Sequence, residues 1–476
     1  MSRPWGPGGP RTDRGRLALV LALATAVAVF TATVPLLRDW FDLRVYYGTV
    51  DTWMWHGGHI YDYRVPGTDY GFTYPPFAAL AMLPMALVGW HTAVGCALLL
   101  NLGTLAVAVR LLYGRELARH GWFGWALAGC ALALFEPVRD TFSFGQVNLV
   151  LLALVLVDIR LLNSGRGRWA GAGIGLAAAV KLTPALFIGM LLLARRWRAA
   201  AVATAVAGAA PALAAWAAPG ASRFYWTRAV WDTTRVGRLD YVSNQSVQGV
   251  LARLAADGQP ARPVWALAVL AVLAVWAVRT RGAVRAGDWR AAVALTGAAA
   301  CLVSPVTWVH HLVWLLPSFA VLLHHRRVRS AAALYVVLCS SVVWLWIDDA
   351  SGLDGFLGGN AYTWITLGLL IGLPVGLPVG LSGSLPLGQL RTERRSLKRT
   401  ASAAAPAPTA APTAVPDQPE SSPASLGLAT GSAAGPGCAT GRGGSSEPTG
   451  STRPAAANPQ SSSSRASSYT AKPPPN

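Results

Sequence analysis

Apolar runs of about 20 residues, each long enough to cross the hydrocarbon core of a bilayer as a helix, recur along this chain from Leu17 to Leu381. No charged, soluble-looking block separates them. Composition agrees: 53% of the 476 residues are hydrophobic and 13% are charged, against about 25% charged in an ordinary soluble domain. A water-soluble fold of this size would have nowhere to hide so much apolar surface. The expectation is an all-α polytopic membrane protein with about 11–13 transmembrane helices.

The formal charge of +19 does not point to nucleic acid, because the basic residues fall in short clusters between apolar runs, where they suit anionic headgroups. The clusters are Arg3–Arg16, Arg110–Arg119, Arg160–Arg168, Arg195–Arg198, Arg279–Arg290, Arg326–Arg329 and Arg391–Arg399. Lys and Arg in short loops mark the cytoplasmic side, so both termini are expected there, in a multi-pass protein of the cell membrane. The connections rich in Asp, Asn, His and Trp then lie outside. Two of them, 38–76 and 219–262, are long enough to build a catalytic surface.

This scheme divides the chain into a basic cytoplasmic N-terminus (1–16), a membrane domain (17–390) and a disordered, Ala-, Pro- and Ser-rich cytoplasmic tail (391–476). Leu17–Leu37 is too long for a typical signal-peptide core and lacks an obvious cleavage site, so it reads as an uncleaved first span. Pro76–Gly89 is expected to be interfacial or re-entrant, with Val94–Leu112 spanning. Gly171–Val180 and Leu182–Ala194 are short for two crossings and meet at Lys181, as do helices that line a protein cavity. Cys96, Cys130, Cys301, Cys339 and Cys438 lack metal-ligand spacing, and the first four read as small core residues. The duplication LPVGLPVG at Leu373–Gly380 carries no evident function.

The first outer loop collects Asp39, Asp42, Asp51, Asp62 and Asp69 among Tyr46, Tyr61, Tyr63, Tyr74 and several tryptophans. An ordinary wet loop with an aromatic belt has the same composition. Asp42 stands apart, because a carboxylate a few residues past a span is partly desolvated, as a general base beside a bound hydroxyl needs to be. Lys181 interrupts GLAAAVKLTPALFIG; it is either a snorkelling lysine or a point cation suited to a lipid phosphate. His310 and His311 open a span in SPVTWVHHLVWLLP, with hydrogen bonding, a phosphate-facing role and interfacial packing all open. No HExxH or acidic partner supports a metal site. Gln146 and Asn148 in FGQVN head another span, where neutral polar groups cap a helix or meet a ligand. Asn244 and Gln245, in YVSNQSVQGVLARL, read as polar surface over the cavity. The NQS triplet there also matches a glycosylation sequon, a pattern common by chance.

Taken in order, DLRVYYG, GHIYDY, FTYPPFAAL, FGQVNLVLLAL, AAAVKLTPAL, RRWRA, SNQSVQGVLARL and SPVTWVHH resemble glycosyltransferase family 87, over roughly Arg38–Pro317. The resemblance implies a GT-C-type fold whose outer loops form the active site. It also implies inverting transfer of mannose, or a similar sugar, from a polyprenyl-phosphate donor to a lipid-linked or cell-envelope glycan, giving an α linkage. Asp42 falls on the family's essential aspartate, and Lys181, His310 and His311 fall near the donor phosphate. The substrate-facing set would be Tyr46, Tyr61, Tyr74, Gln146, Asn148, Asn244 and Gln245. A phosphate leaving group stabilised by cations needs no metal, and no cofactor is expected. The implied partners are the sugar donor, a glycolipid or glycan acceptor, and membrane lipids. Acceptor identity does not carry over, because the second outer loop bears its own Arg223, Arg228, Arg235 and Arg238. The competing class is a lipid or sugar transporter or flippase without covalent chemistry, which would place ionisable residues at the bilayer midplane and show two related halves.

Overall fold

The structure is a computed structural model and describes residues 12–33, 39–165 and 167–376. The N-terminal residues 1–11, Arg38, Cys438, the second half of the LPVG duplication and the tail at 391–476 lie outside the described residues.

Helix is the regular structure throughout the described residues; the β-type contact they contain is an isolated bridge between Arg64 and Gly71. In chain order the α-helices are α1 (Asp13–Thr33), α2 (Phe41–Trp55), α3 (Pro76–Met82), α4 (Trp90–Ala118), α5 (Gly121–Leu134), α6 (Glu136–Phe144), α7 (Asn148–Asn163), α8 (Ala172–Val180) and α9 (Leu186–Leu193). They continue with α10 (Trp197–Ala217), α11 (Pro219–Thr227), α12 (Val247–Leu254), α13 (Arg262–Arg285), α14 (Trp289–Val303), α15 (Leu316–His324), α16 (Val328–Cys339), α17 (Gly352–Gly358) and α18 (Ala361–Gly372). Four of them, α1, α4, α10 and α13, are each long and apolar enough to cross a bilayer alone, and α5 with α6 are so only together, across a bend of 70°. The other apolar stretches, including α14, α16 and α18, are shorter helices of 10–17 residues. Over its described residues the protein is thus all-helical, a multi-pass membrane protein with a GT-C-type architecture in which several apolar runs are broken instead of continuous.

The breaks have chemical causes. Lys181 adopts an extended conformation (φ −147°, ψ 132°) between α8 and α9, and Pro184 opens the 3₁₀ turn that follows. Pro137 sits in the first turn of α6 at the 70° bend, where its missing N–H is not needed. The half-length helices α8 and α9 survive because their freed backbone ends are enclosed by protein. The carboxylate of Asp158 on α7 accepts hydrogen bonds from Gly171 N (3.0 Å) and Ile174 N (2.8 Å) and so caps α8. The segment 76–89 consists of α3 and a 3₁₀ turn packed against α2, α8 and α10. The following span runs from Trp90 to Ala118, longer at both ends than Val94–Leu112, because residues at helix ends can extend into the headgroup region.

At the centre stands α14, whose residues from Ala291 to Leu302 are all buried. Its Ala- and Gly-rich sequence lets α13, α15 and α18 approach closely. Cys301 belongs to this core, whereas Cys96 is exposed on α4, a lipid-facing surface and not the core position expected for it.

The basic turns gather on one face. Arg290 meets Glu116 at the end of α4 (3.5 Å) and His324 at the end of α15 (3.4 Å). Arg196, before α10, lies over the Trp289 ring at the start of α14 (5.4 Å), and Arg16 lies over Phe123 at the start of α5 (5.7 Å). The segments α2, α3, α6, α11 and α12 gather around the other ends of the spanning helices.

Gly171 ties the basic face together: it adopts φ 107°, and a Cβ there would come within 2.1 Å of the Ala199 carbonyl oxygen. Gly171→Ala is therefore expected to cost about 2–3 kcal/mol. Gly103→Ala, where an added methyl meets nothing within 4 Å, should leave stability unchanged or slightly higher. Thermal unfolding of the two variants in detergent checks the contrast.

Candidate active site

Two local features bring Asp42 to the polar centre of the molecule. Trp40 precedes α2 in the left-handed conformation (φ 55°), and Asp39 accepts the Phe41 N–H, so the chain turns sharply into the helix. Gly145 (φ 69°) closes α6, and a Cβ there would lie 2.6 Å from Leu43 Cβ. Only a glycine lets α2 lie this close to the corner between α6 and α7. The neighbour of Leu43, Asp42, thereby comes beside the Gln146 side chain, whose polar end favours its carboxylate. Asp42 is half-buried, and desolvation pushes its carboxyl from the ordinary 3.8 up to about 6, against the smaller opposing effects of Gln146 and Lys181.

From Gln146 a polar chain runs inward. Its Oε1 accepts from Tyr74 OH (3.3 Å) and from Asn148 Nδ2 (3.2 Å). Tyr46 OH donates to Tyr74 OH (2.9 Å). Asn148 Oδ1 accepts from Lys181 Nζ (3.0 Å), which also stands 3.5 Å from Tyr74 OH and 5.2 Å from its ring centroid. Lys181 Nζ is 2.7 Å from His311 Nε2. The other ring nitrogen of His311, Nδ1, lies 3.1 Å from the Trp308 N–H. The lysine and imidazole nitrogens thus converge on one point. An anionic oxygen placed over both would satisfy them together.

The structure therefore brings together Asp42, Tyr46, Tyr74, Gln146, Asn148, Lys181 and His311. His310 turns away: it is buried, packs against Phe144 (5.5 Å) and touches the site through the His311 ring (4.6 Å). Adjacent residues on a helical turn cannot face the same point. Tyr61 supports the loop, donating to Tyr74 O (2.8 Å) and stacking on Tyr225. The other loop aspartates stay at the surface, where Asp51 pairs with His56 (3.2 Å) and Asp62 with His59 (3.0 Å). Hydrogen bonds from His59 hold Asp62 below the usual carboxylate range.

Asn244 and Gln245 are not the polar surface their composition suggested. Both are fully buried. Asn244 bonds to Leu239 O, Pro305 O and Thr307 N. Gln245 donates to Val242 O (2.6 Å) and Gly359 O (2.7 Å), and accepts from Thr363 N (3.0 Å). Their amides match unpaired backbone groups in three loops and so lock those loops together. Arg253 completes the latch through Asn360 Oδ1 and the carbonyls of Tyr241 and Asn244.

Sequence reading missed the buried set on α6: Glu136 accepts from Trp344 Nε1 (2.7 Å) and Tyr362 OH, and Arg139 donates to Ser341 Oγ (3.0 Å). Three ionisable residues at helical spacing in EPVRD, inside apolar flanks, were the available signal. The cap Asp158 carried no such signal, because its partners lie 13 and 16 residues away.

The family model of glycosyltransferase family 87 matches residues 72–305. A polyprenol-phosphate-mannose-dependent alpha-(1-2)-phosphatidylinositol mannoside mannosyltransferase of Mycolicibacterium smegmatis is 32% identical over 345 residues, covering 64% of this chain and 76% of that protein. The chain belongs to glycosyltransferase family 87. Another relative from M. smegmatis, a polyprenol-phosphate-mannose-dependent alpha-(1-2)-phosphatidylinositol pentamannoside mannosyltransferase, is 33% identical over 335 residues, covering 68% of this chain and 79% of its own. A phosphatidylinositol mannoside mannosyltransferase of Mycobacterium tuberculosis is 31% identical over 358 residues, covering 70% and 81%. No solved structure matches. This family 87 protein is a membrane glycosyltransferase; membership disfavours a transporter without covalent chemistry.

If Asn244 and Gln245 serve the loops and not a substrate, Gln245→Ala should lower stability by about 3 kcal/mol by stranding buried backbone groups. Melting temperature and acceptor KM measured on one preparation test this. Unchanged stability with a raised KM would return Gln245 to a substrate-binding role.

Proposed function

We propose that the protein transfers mannose from a polyprenyl-phosphate mannose to a hydroxyl of a phosphatidylinositol-mannoside-type glycolipid, with inversion at the sugar's C1. The relatives named above, which act on phosphatidylinositol mannosides, support this choice of donor and acceptor. One observation carries the mechanism. A half-buried carboxylate with raised proton affinity and a lysine–histidine anion site stand at the two ends of one run of polar side chains, Asp42–Gln146–Asn148–Lys181.

In this reading Asp42 takes the proton from the acceptor hydroxyl as the new C1–O bond forms. The C1–O pair of the donor leaves with the phosphate, whose growing charge is met by Lys181 and His311. Tyr46, Tyr74, Gln146 and Asn148 hold these two ends in register. The cost of keeping a carboxylate half-desolvated is offset in function, since a base near pKa 6 removes a proton better than an ordinary aspartate. The basic face lies in the cytoplasm, by the charge bias of short loops, and the site opens on the outer side of the cell membrane with both termini inside.

Purified protein given polyprenyl-phosphate mannose and phosphatidylinositol mannosides should form a lipid one mannose larger. Donor left unconsumed with every such acceptor would defeat the proposal. Asp42→Asn is expected to reduce kcat by about 10²–10⁴-fold, and Lys181→Met by about 10²–10³-fold.

The pH dependence has a definite sign. The base must be ionised, so kcat/KM should fall by about tenfold per pH unit below about 6. The folded state holds the Asp42 proton more tightly than the unfolded chain does. Stability therefore declines as pH rises from about 4 through about 6. Asp42→Asn removes that decline, so the inactive variant should match or exceed the parent's melting temperature at neutral pH.

A further inference from the structure

The basic face holds a cavity of about 690 Å³ between the ends of α7 and α9 and the start of α10, lined by Arg168, Arg195, Arg196, Trp197 and Arg198. Its size falls within the range of about 300–1,000 Å³ typical of ligand sites. All four guanidinium side chains are exposed, and none of them forms an ion pair with a carboxylate among the described residues. Trp197 in its lining is 63% exposed, and Trp169, next to Arg168, is 65% exposed with the Arg168 guanidinium 5.4 Å over its ring. Exposed tryptophans beside arginines are the usual composition of the headgroup layer.

A second turn in the same chain shows what is unusual here. The residues LLLARRWR (191–198) and LLHHRRVR (322–329) share the pattern Leu-Leu-x-x-Arg-Arg-x-Arg. Their backbones also agree. Arg195 N bonds Leu192 O and Arg196 N bonds Leu191 O, as Arg326 N bonds Leu323 O and Arg327 N bonds Leu322 O. In both, the first arginine takes the left-handed conformation, φ 54° at Arg195 and 58° at Arg326, a position that glycine fills at lower cost. The surroundings differ. Around the second turn, Glu116 reaches Arg290 and Asp288 stands 3.9 Å from His325. At the first turn, with the cavity, Arg195, Arg196 and Arg198 form no ion pair among the described residues, and Asp158 on neighbouring α7 is taken up by the Gly171 and Ile174 N–H groups.

We propose that this cavity binds the phosphate headgroup of an anionic phospholipid in the leaflet on the basic face. The missing negative charge comes from the lipid phosphodiester, which the arginine forks bind through paired N–H donors, while Trp197 and Trp169 lie against the glycerol and upper acyl region. The site is separate from the Asp42–Lys181 cluster and does not depend on the reading of its chemistry.

The test is native mass spectrometry of the full chain, purified in neutral detergent and titrated with phosphatidylglycerol or phosphatidylcholine. The intact protein should retain phosphatidylglycerol preferentially. Each basic residue near an anionic surface is worth about a factor of five in affinity, so Arg195→Gly should weaken retention about fivefold and Arg168→Ala with Arg198→Ala about 25-fold. Arg195→Gly also relieves the left-handed backbone, so it folds at least as well as the parent and its loss of lipid is not a loss of structure. Arg326→Gly relieves the same conformation in the other turn and should leave retention unchanged. Equal retention of the two lipids, undiminished retention by Arg195→Gly, or an equal loss in Arg326→Gly would overturn the proposal. Displacement of the lipid by millimolar inorganic phosphate would assign the cavity to a free anion and overturn it as well.

Discussion

A lysine amine carried into an apolar helical bundle must be given polar company, and much of this structure is arranged around Lys181. The chain breaks its helix there, leaving α8 and α9 as two short arms. Around the amine stand Asn148 from the head of α7, His311 from the turn before α15 and Tyr74 from the loop before α3. Four segments far apart in sequence are drawn to one point, because an isolated amine in that setting would be too costly to keep. Asp42 joins the cluster through Gln146, so the proposed base and the lysine are positioned by one network.

The remaining framework allows those segments to converge. α14 is buried along almost its whole length by virtue of small side chains, and the Asp158 cap and Gly171 let α8 pack against α7 and α10. Broken helices at membrane depth are tolerated where protein encloses them. The short arms, the 70° corner of α5 and α6 and the half-turns near Lys181 are therefore placed against the long spans α4, α10 and α13. On the opposite face from the basic turns, the Asn244–Gln245–Arg253 latch fastens three loops through buried amides. The site rests on a rigid floor and a locked rim.

Family membership and local chemistry contribute separate parts of the functional argument. The family model begins at Phe72, after α2, so Asp42 lies outside that match and its role rests on geometry: the left-handed entry at Trp40, the contact of Gly145 with Leu43, and the Gln146 side chain beside it. Lys181 and His311 lie on either side of this division, one inside the matched stretch and the other six residues beyond its end at 305. Their pairing at 2.7 Å is a property of the folded chain.

Period, hydropathy and the spacing of arginines were sufficient for the membrane class, the basic face, the break at Lys181 and the short segment at 76–89, because each follows from interactions between nearby residues and the solvent or bilayer. The singling out of Asp42 among five loop aspartates came from its distance to the first span, which is also local. Other features depended on partners remote in sequence. Both histidines of the pair carry the same chemistry in one dimension, and only the turn at Trp308 decides that His311 meets Lys181 while His310 packs on Phe144. Asn244 and Gln245 look like surface amides until the loops at 305–309 and 359–363 close over them. Glu136, Arg139 and Asp158 acquire their roles from backbone and side-chain groups that only the packed helices bring within reach. Sequence therefore determined what had to be buried, exposed or broken; tertiary structure decided which polar groups satisfy one another, since hydrogen bonds form between neighbours in space and not along the chain.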